Sequence, residues 1–253
     1  MRTLVIQSAS ERDQPDWLAP CLQSTRGWAR ERGYDYRLWG DEALELTPPW
    51  YRAKLGARLP IVADLARLLL IRDALASGYQ RACWLDSDVV VFAPGRLVLP
   101  DDAECAFGRE RWVQKDRGGR WQVRLNVHNA VCSFVAGCPV LPFLIHTTER
   151  IIARADPEHI APQMVGPKLL SALHNLTGFR LIDSIGALSP AVRDDLEQGG
   201  GDALRAMQAA APEPLAGVNL CASVNGDRDL AEICERLIDA GRLEAPGETV
   251  GAS

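Results

Sequence analysis

The chain opens with a strand, a helix and a second strand, and that order limits what it can fold into. Thr3 to Ile6 is a short apolar run that ends in the polar stretch Gln7-Ser8-Ala9-Ser10. From Asp16 onward, Leu18, Cys21, Leu22, Thr25, Trp28 and Ala29 recur at helical spacing, and Gly33 supplies a stop. Tyr34 to Trp39 then reads as a second strand. A βαβ opening implies an α/β fold: a mainly parallel sheet with helices on both faces. The 253 residues suit one such domain. We assign it to residues 1–243, with a flexible tail over 244–253, where Gly, Ala and Pro are frequent.

The next helix begins at Pro60 and runs to about Ala76, with Gly78 as its stop. It is apolar on nearly every side, so most of it must be buried. Asp64 and Arg67 lie three apart on one of its faces and need partners, either each other or a ligand. Ala82 to Phe92 reads as one buried strand, and a further strand lies near Glu104 to Gly108. Arg109 to Arg124, rich in charge, Gly and Trp, reads as an exposed loop; three roles stay open for it: Trp112 and Trp121 stacking on a sugar or an apolar acceptor, a mobile lid that excludes water, or plain surface. Asn129 to Ala136 and Phe179 to Ile182 are expected strands; Leu141 to Arg154 and Gln163 to Asn175 are expected helices. Asp194 to Pro214 reads as loop with a helical turn or more, Val218 to Val224 as a closing strand, and Asp229 to Ala240 as a last helix.

Charge narrows the range of partners. With 28 basic and 33 acidic residues the formal net charge is −5, and no long basic run occurs, which argues against nucleic acid. The seven cysteines include no CxxC pair and several sit among apolar neighbours, so they read as small buried hydrophobes in a reducing compartment. No apolar stretch is long enough to span a bilayer, and the expected location is cytoplasmic, with at most peripheral membrane contact.

Asp86-Ser87-Asp88 interrupts the apolar stretch from Ala82 to Phe92. Residues i and i+2 of a strand face one way, so continued pairing would set both carboxylates on one side. Two like charges so placed call for a cation. A hard divalent ion such as Mn²⁺ or Mg²⁺, which takes oxygen ligands, meets that need and also binds diphosphate oxygens. The plainer alternative is that the pair ends a strand in a solvated turn. A haloacid-dehalogenase-type phosphatase with Asp86 as nucleophile is a third reading, with Asp194-Asp195 as its late acidic pair. A nucleotidyltransferase is disfavoured, because Gln7 to Pro15 contains no glycine for a phosphate loop.

Several segments, in order, resemble the DXD-containing sugar-binding glycosyltransferases, the group that includes initiating mannosyltransferases and bacterial capsular sugar transferases. The segments are Ile6-Gln7 with Pro15 to Leu18, Tyr36 to Asp41, Asp64-x-x-Arg67, Trp84-Leu85-Asp86-Ser87-Asp88-Val89, Asn129-Ala130 with Gly137-Cys138-Pro139, and Val165 to Lys168. A more distant similarity runs to glucosylating clostridial toxins and glycogenin-like enzymes. The resemblance implies a GT-A (Rossmann-like) fold and a metal-dependent, retaining hexosyltransferase using a UDP- or GDP-sugar. It implies that Asp88 ligates the metal and that Asp86 contacts the donor or the metal through water. Gln7, Ser8, Asp64, Arg67, Ser87 and Asn129 would border the donor, with Asn129 near the anomeric carbon beside Asp86.

This sequence departs from that pattern in two places. Ser77 to Arg81 stands where the family has Gly-Gly, and Val218 to Asn225 stands where it has His followed by Ser-Trp. Ser223 and Asn219 are the metal-ligand candidates in that last stretch, whose plainer reading is a core strand. The acceptor class (glycan, lipid-linked, small molecule or protein) is not legible. A non-catalytic domain that binds nucleotide-sugars is the third functional class compatible with these residues.

Overall fold

The computed structural model describes residues 1–12, 14–227 and 230–243. The expected tail over 244–253 and the expected helix start at Asp229 lie outside the described residues. The opening βαβ unit is present. Strand β1 (Thr3–Ser8) is followed by helix α1 (Leu18–Glu31) and then by β2 (Asp35–Trp39), which lies parallel to β1. Gly33 ends α1 with φ of +67°, a left-handed backbone that glycine adopts without a Cβ clash. Two short helices that the sequence pattern did not announce, α2 (Glu42–Glu45) and α3 (Pro49–Leu55), lead into α4 (Leu59–Ala76). Strand β3 (Arg81–Leu85) then lies parallel to β1 on the side away from β2.

Why α4 is apolar all round is now clear. Leu68, Leu70 and Ile71 pack on the sheet with Leu4, Ile6, Ala82 and Trp84. Ile61, Leu65 and Leu69 pack outward against Tyr51 and Leu55 of α3 and against Ile152. Leu65 is fully buried, and removing a side chain of this kind costs about 2–5 kcal/mol.

The strand expected from Ala82 to Phe92 is two strands. Strand β3 stops at Leu85, Asp86 to Asp88 turn, and β4 (Val89–Val91) joins a different sheet. The Asp86 carbonyl accepts from the Val89 amide at 3.1 Å, closing the turn. Asp and Ser form such turns without glycine.

The expected loop from Arg109 to Arg124 is also different. Strands β5 (Cys105–Lys115) and β6 (Trp121–Val135) form a long antiparallel hairpin around a short turn at residues 116–120. Its charge is partly internal: Arg111 is 2% exposed and binds the Asp183 carbonyl at 3.0 Å, the Ala210 carbonyl at 3.1 Å and the Asp183 carboxylate. Helices α5 (Val140–Arg154) and α6 (Pro167–Thr177) follow, and then strand β7 (Arg180–Ile182).

Among the described residues the main sheet runs β2-β1-β3-β6-β5-β7. Its β1–β2, β1–β3 and β5–β7 pairings are parallel, and β3–β6 and β5–β6 are antiparallel. This is the mixed, mainly parallel sheet that the sequence implied. Helix α1 and the second sheet cover one face, where Trp28, Val89 and Val91 meet Val5, Cys83 and Leu85. Helices α4, α5 and α6 cover the other.

The second sheet contains β4, β8 (Ile185–Ala187) and β9 (Gly217–Asn219) in the order β4-β9-β8. Between β8 and β9 lie helices α7 (Pro190–Glu197) and α8 (Asp202–Ala209), in place of the expected loop. The expected closing strand to Val224 ends at Asn219. Cys221 turns the chain with φ of +51°, and the short helix α9 (Ala222–Asn225) follows. Helix α10 (Leu230–Ala240) packs on α1, burying Ile233 and Leu237 with Leu18 and Cys21. All seven cysteines are unpaired, and six of them are buried. No helix among the described residues is long and apolar enough to cross a membrane.

Candidate active site

The order β2-β1-β3 means that the chain leaves β1 to one side and returns on the other. In open α/β sheets ligands bind outside the carboxyl ends of strands at such a reversal. Those ends here are Gln7-Ser8 of β1 and Leu85-Asp86 of β3. The fold thus brings Gln7, Ser8, Asp86, Ser87 and Asp88 to one edge.

Arg67 organises the inner wall. It is 6% exposed. Its Nη1 donates to the Asn129 carbonyl at 2.7 Å and lies 3.0 Å from Asp86 Oδ1, while Nη2 lies 3.3 Å from Asp64 Oδ1. Its guanidinium also stands over the Trp84 ring at 5.3 Å. Asp86 Oδ1 further accepts from Trp84 Nε1 at 2.6 Å. Arg67 is therefore engaged within the protein.

Asp64 is 7% exposed and accepts from Asn129 Nδ2 at 2.7 Å. Burial pushes its carboxyl up to about 6, against the opposing pull of Arg67 and the Asn129 hydrogen bond. In the unfolded chain such a group titrates near 3.9. Between these values the folded state binds the extra proton, so stability falls as pH rises through the window. Asp64→Asn should abolish that slope. The variant is expected to gain on the order of 2 kcal/mol relative to wild type between about pH 4 and pH 7. Parallel urea-unfolding curves for the two proteins across that range would contradict this.

Asn129 reaches the site because β6 changes register. Phe107 faces Cys132 whereas the next residue, Gly108, faces His128. Asn129, Ala130 and Val131 are left over against β5, and the Ala130 carbonyl accepts from the Asp86 amide at 2.8 Å. Gly166, the residue before α6, closes over this network. A Cβ there would lie 2.8 Å from Asp64 Oδ2 and 3.1 Å from Asn129 Nδ2. Both groups are hydrogen-bonded and have little room to move. Gly166→Ala is expected to cost about 1–3 kcal/mol by urea unfolding.

Asp88 lies on the outer wall, and the turn separates it from Asp86. Its Oδ1 accepts from Asn219 Nδ2 at 2.7 Å and its Oδ2 from the Ala222 amide at 3.1 Å. No lysine or arginine forms an ion pair with it among the described residues, whereas Asp86 has Arg67. Burial among protein atoms, and then the neighbouring Asp86 charge, push the Asp88 carboxyl up to about 6. A carboxylate at a ligand crevice without a cation fits a divalent metal ion. Among the described residues, however, no group of three His, Cys, Asp or Glu side chains could hold one. An ion at Asp88 would therefore need its further ligands from other oxygens.

The other expected residues vary in their suitability. Asn219 donates to Asp88 while its Oδ1 accepts from the Cys221 amide at 2.7 Å, so it aims Asp88. Ser223 is exposed on α9. Gln7 is fully buried: it donates to the Asp86 carbonyl at 3.0 Å and accepts from Tyr36 Oη at 2.9 Å, bracing the turn from below. Ser8 and Ser87 are half-buried at the crevice. Asp195 caps α8 by accepting from the Leu204 amide at 2.9 Å, and Asp194 pairs with Arg193.

Sequence reasoning missed four contributors. Gly166 entered only within the Val165 to Lys168 segment of the resemblance. Cys221 holds the strained backbone that points the Ala222 amide at Asp88. His128 is buried against Gly108, and burial drives its imidazole down to about 4, so it is neutral. Glu110 sits on the hairpin, where only the two-residue alternation of its neighbours could have placed it.

Among solved structures, one match is a glycosyltransferase involved in the glycosylation of the major capsid of PBCV-1. Its TM-score is 0.51 at 11% identity, over 93% of this chain and 100% of that one. At this identity the match speaks for the fold, which is glycosyltransferase-like. A mannose-1-phosphate geranyltransferase from Thermus thermophilus matches 62% of this chain and 66% of its own at 14% identity, but its TM-score of 0.30 is too low to carry an argument. No protein-family model and no curated protein matches the chain.

Proposed function

We propose that this protein transfers a sugar from a UDP- or GDP-sugar to an acceptor hydroxyl, with Mn²⁺ or Mg²⁺ held at Asp88. One observation carries the reading: Asp88 is a carboxylate without a cation, at the strand-order reversal of a fold shared with a glycosyltransferase. Asp88 would ligate the ion directly, with the donor diphosphate completing its coordination; Asp86 lies nearby for a contact through water. A bound ion of this kind neutralises diphosphate oxygens and favours departure of the nucleoside diphosphate.

The chain's own residues supply position. Arg67 holds Asp86 and the Asn129 carbonyl in one arrangement before any ligand arrives. The Asn129 amide, tied to Asp64 through Nδ2, keeps its Oδ1 for the donor. Ser8 and Ser87 offer hydroxyls at the mouth. Retention of anomeric configuration is part of the proposal and rests on the family resemblance. An inverted product in an anomer-resolved assay would remove that part alone.

A phosphatase reading fares less well, because Asp86 Oδ1 already receives hydrogen bonds from Trp84 and Arg67 and is poorly placed as a nucleophile. Calorimetry with UDP and GDP, with and without Mn²⁺, tests the proposal. Metal-dependent binding of one nucleotide is expected. Its absence for both, under either condition, would overturn the donor site. Binding without any donor hydrolysis or transfer would favour the non-catalytic reading.

A further inference from the structure

The hairpin carries a second set of groups that the donor site does not use. Alternate residues of a strand share a face, so Gly108, Glu110 and Trp112 line one side of β5. Opposite them on β6 stand His128, Asn126 and Arg124. The row starts at the donor site, because His128 precedes Asn129 and its ring sits where a Cβ on Gly108 would be.

Glu110 itself is half-buried and lacks a cation. Asn126 Nδ2 donates to its Oε2 at 2.7 Å, and Oε1 has no hydrogen-bond partner among the described residues. Burial pushes the carboxyl up, and no arginine or lysine offsets it. Asn126 Oδ1 likewise has no partner among the described residues. Two residues along, the half-buried indole of Trp112 lies on the same face. Two acceptor oxygens beside one partly open aromatic ring match a polyhydroxylated ring: its hydroxyls donate to the oxygens, and its C–H face lies on the indole. The charge of Glu110 disfavours a phosphate or carboxylate beside it, and the unpaired oxygens disfavour an acyl chain.

We propose that Glu110, Asn126 and Trp112 form the acceptor subsite, and that the acceptor is a carbohydrate whose reacting hydroxyl donates to Glu110. This rests on the donor-site reading above for its placement, but it concerns a separate set of side chains. Saturation-transfer NMR on methyl glycosides of glucose, galactose, mannose and rhamnose provides the test, run on the full chain with Mn²⁺ and whichever of UDP or GDP binds. Wild type should give a glycoside signal. Glu110→Gln and Trp112→Ala should each lower it at least tenfold, with nucleotide affinity within about twofold of wild type. Thermal unfolding checks that both variants are folded, and Glu110→Gln removes a half-buried charge while keeping the shape. Nucleotide binding without a glycoside signal, or equal signals in wild type and variants, would overturn the subsite and leave the donor site standing. A glycoside signal lost in the variants but without nucleotide binding would overturn the donor site and leave the sugar subsite standing.

Discussion

Arg67→Met is expected to destabilise the protein by about 3–5 kcal/mol at neutral pH, measured by urea unfolding. Arg67 is buried, and its removal strands Asp64 and Asp86 with no cation and the Asn129 carbonyl without its donor. The loss has a pH signature. Asp64 already titrates near 6 with Arg67 beside it, and without Arg67 it must titrate higher. A protonated Asp64 no longer needs a cation, so the deficit should be full well above pH 6, where Asp64 is ionised in both proteins, and shrink as pH falls towards about 6. A double-mutant cycle with Asp64→Asn makes the argument specific. The pair should couple by about 1–3 kcal/mol, because Asp64→Asn removes one of the charges that Arg67 was neutralising. Additive losses would mean that Arg67 contributes by packing on Trp84 instead.

The parts of this fold that were legible in the sequence are those whose signal is local and long. The apolar run of β1, the helical spacing of α1 and the all-round apolar α4 each carry enough residues to fix their type. They also fix the βαβ order, and with it the crevice at Gln7 and Asp86. The helices α2, α7, α8 and α9 are short, and a turn or two of helix offers little periodicity to detect.

The hairpin was misread for a different reason. Arg109, Arg111 and Arg120 suggested solvent, yet Arg111 is neutralised by Asp183, distant in sequence, and no local pattern reveals such a pair. The two-residue alternation of Trp121, Val123, Leu125 and Val127 was the available signal, and composition outweighed it. Within the site, the residue types were readable but not their roles. Gln7 braces a turn and Asn219 aims a carboxylate, which depends on partners set by the tertiary fold. The acidic pair was read as two neighbours on one face. It is instead two differently served groups: Asp86 is paired with Arg67, and Asp88 has no ion pair among the described residues.

That asymmetry sets the expected outcome of Asp88→Asn. Mn²⁺-dependent nucleotide affinity should fall at least 100-fold, about 2.7 kcal/mol or more, because the variant loses a carboxylate that has no ion-pair partner among the described residues. Stability should change far less. The Asp88 carboxyl is pushed up to about 6 chiefly by burial, so the fold disfavours its charge at neutral pH, and removing the charge relieves that penalty. Against this stands the loss of one acceptor, since an amide can serve Asn219 or the Ala222 amide but not both. The two effects offset each other, and net unfolding free energy should stay within about 1–2 kcal/mol of wild type. Asp86→Asn provides the contrast: it leaves Arg67 with one carboxylate fewer, so it should perturb the inner wall and weaken nucleotide binding less steeply. In wild type, protons compete with the metal at Asp88, so Mn²⁺-dependent affinity should hold above about pH 6 and fall by up to about tenfold per unit below it. Calorimetry of both variants across pH reads all of these. A metal-dependent affinity that survives Asp88→Asn would move the ion, or the donor, away from this turn.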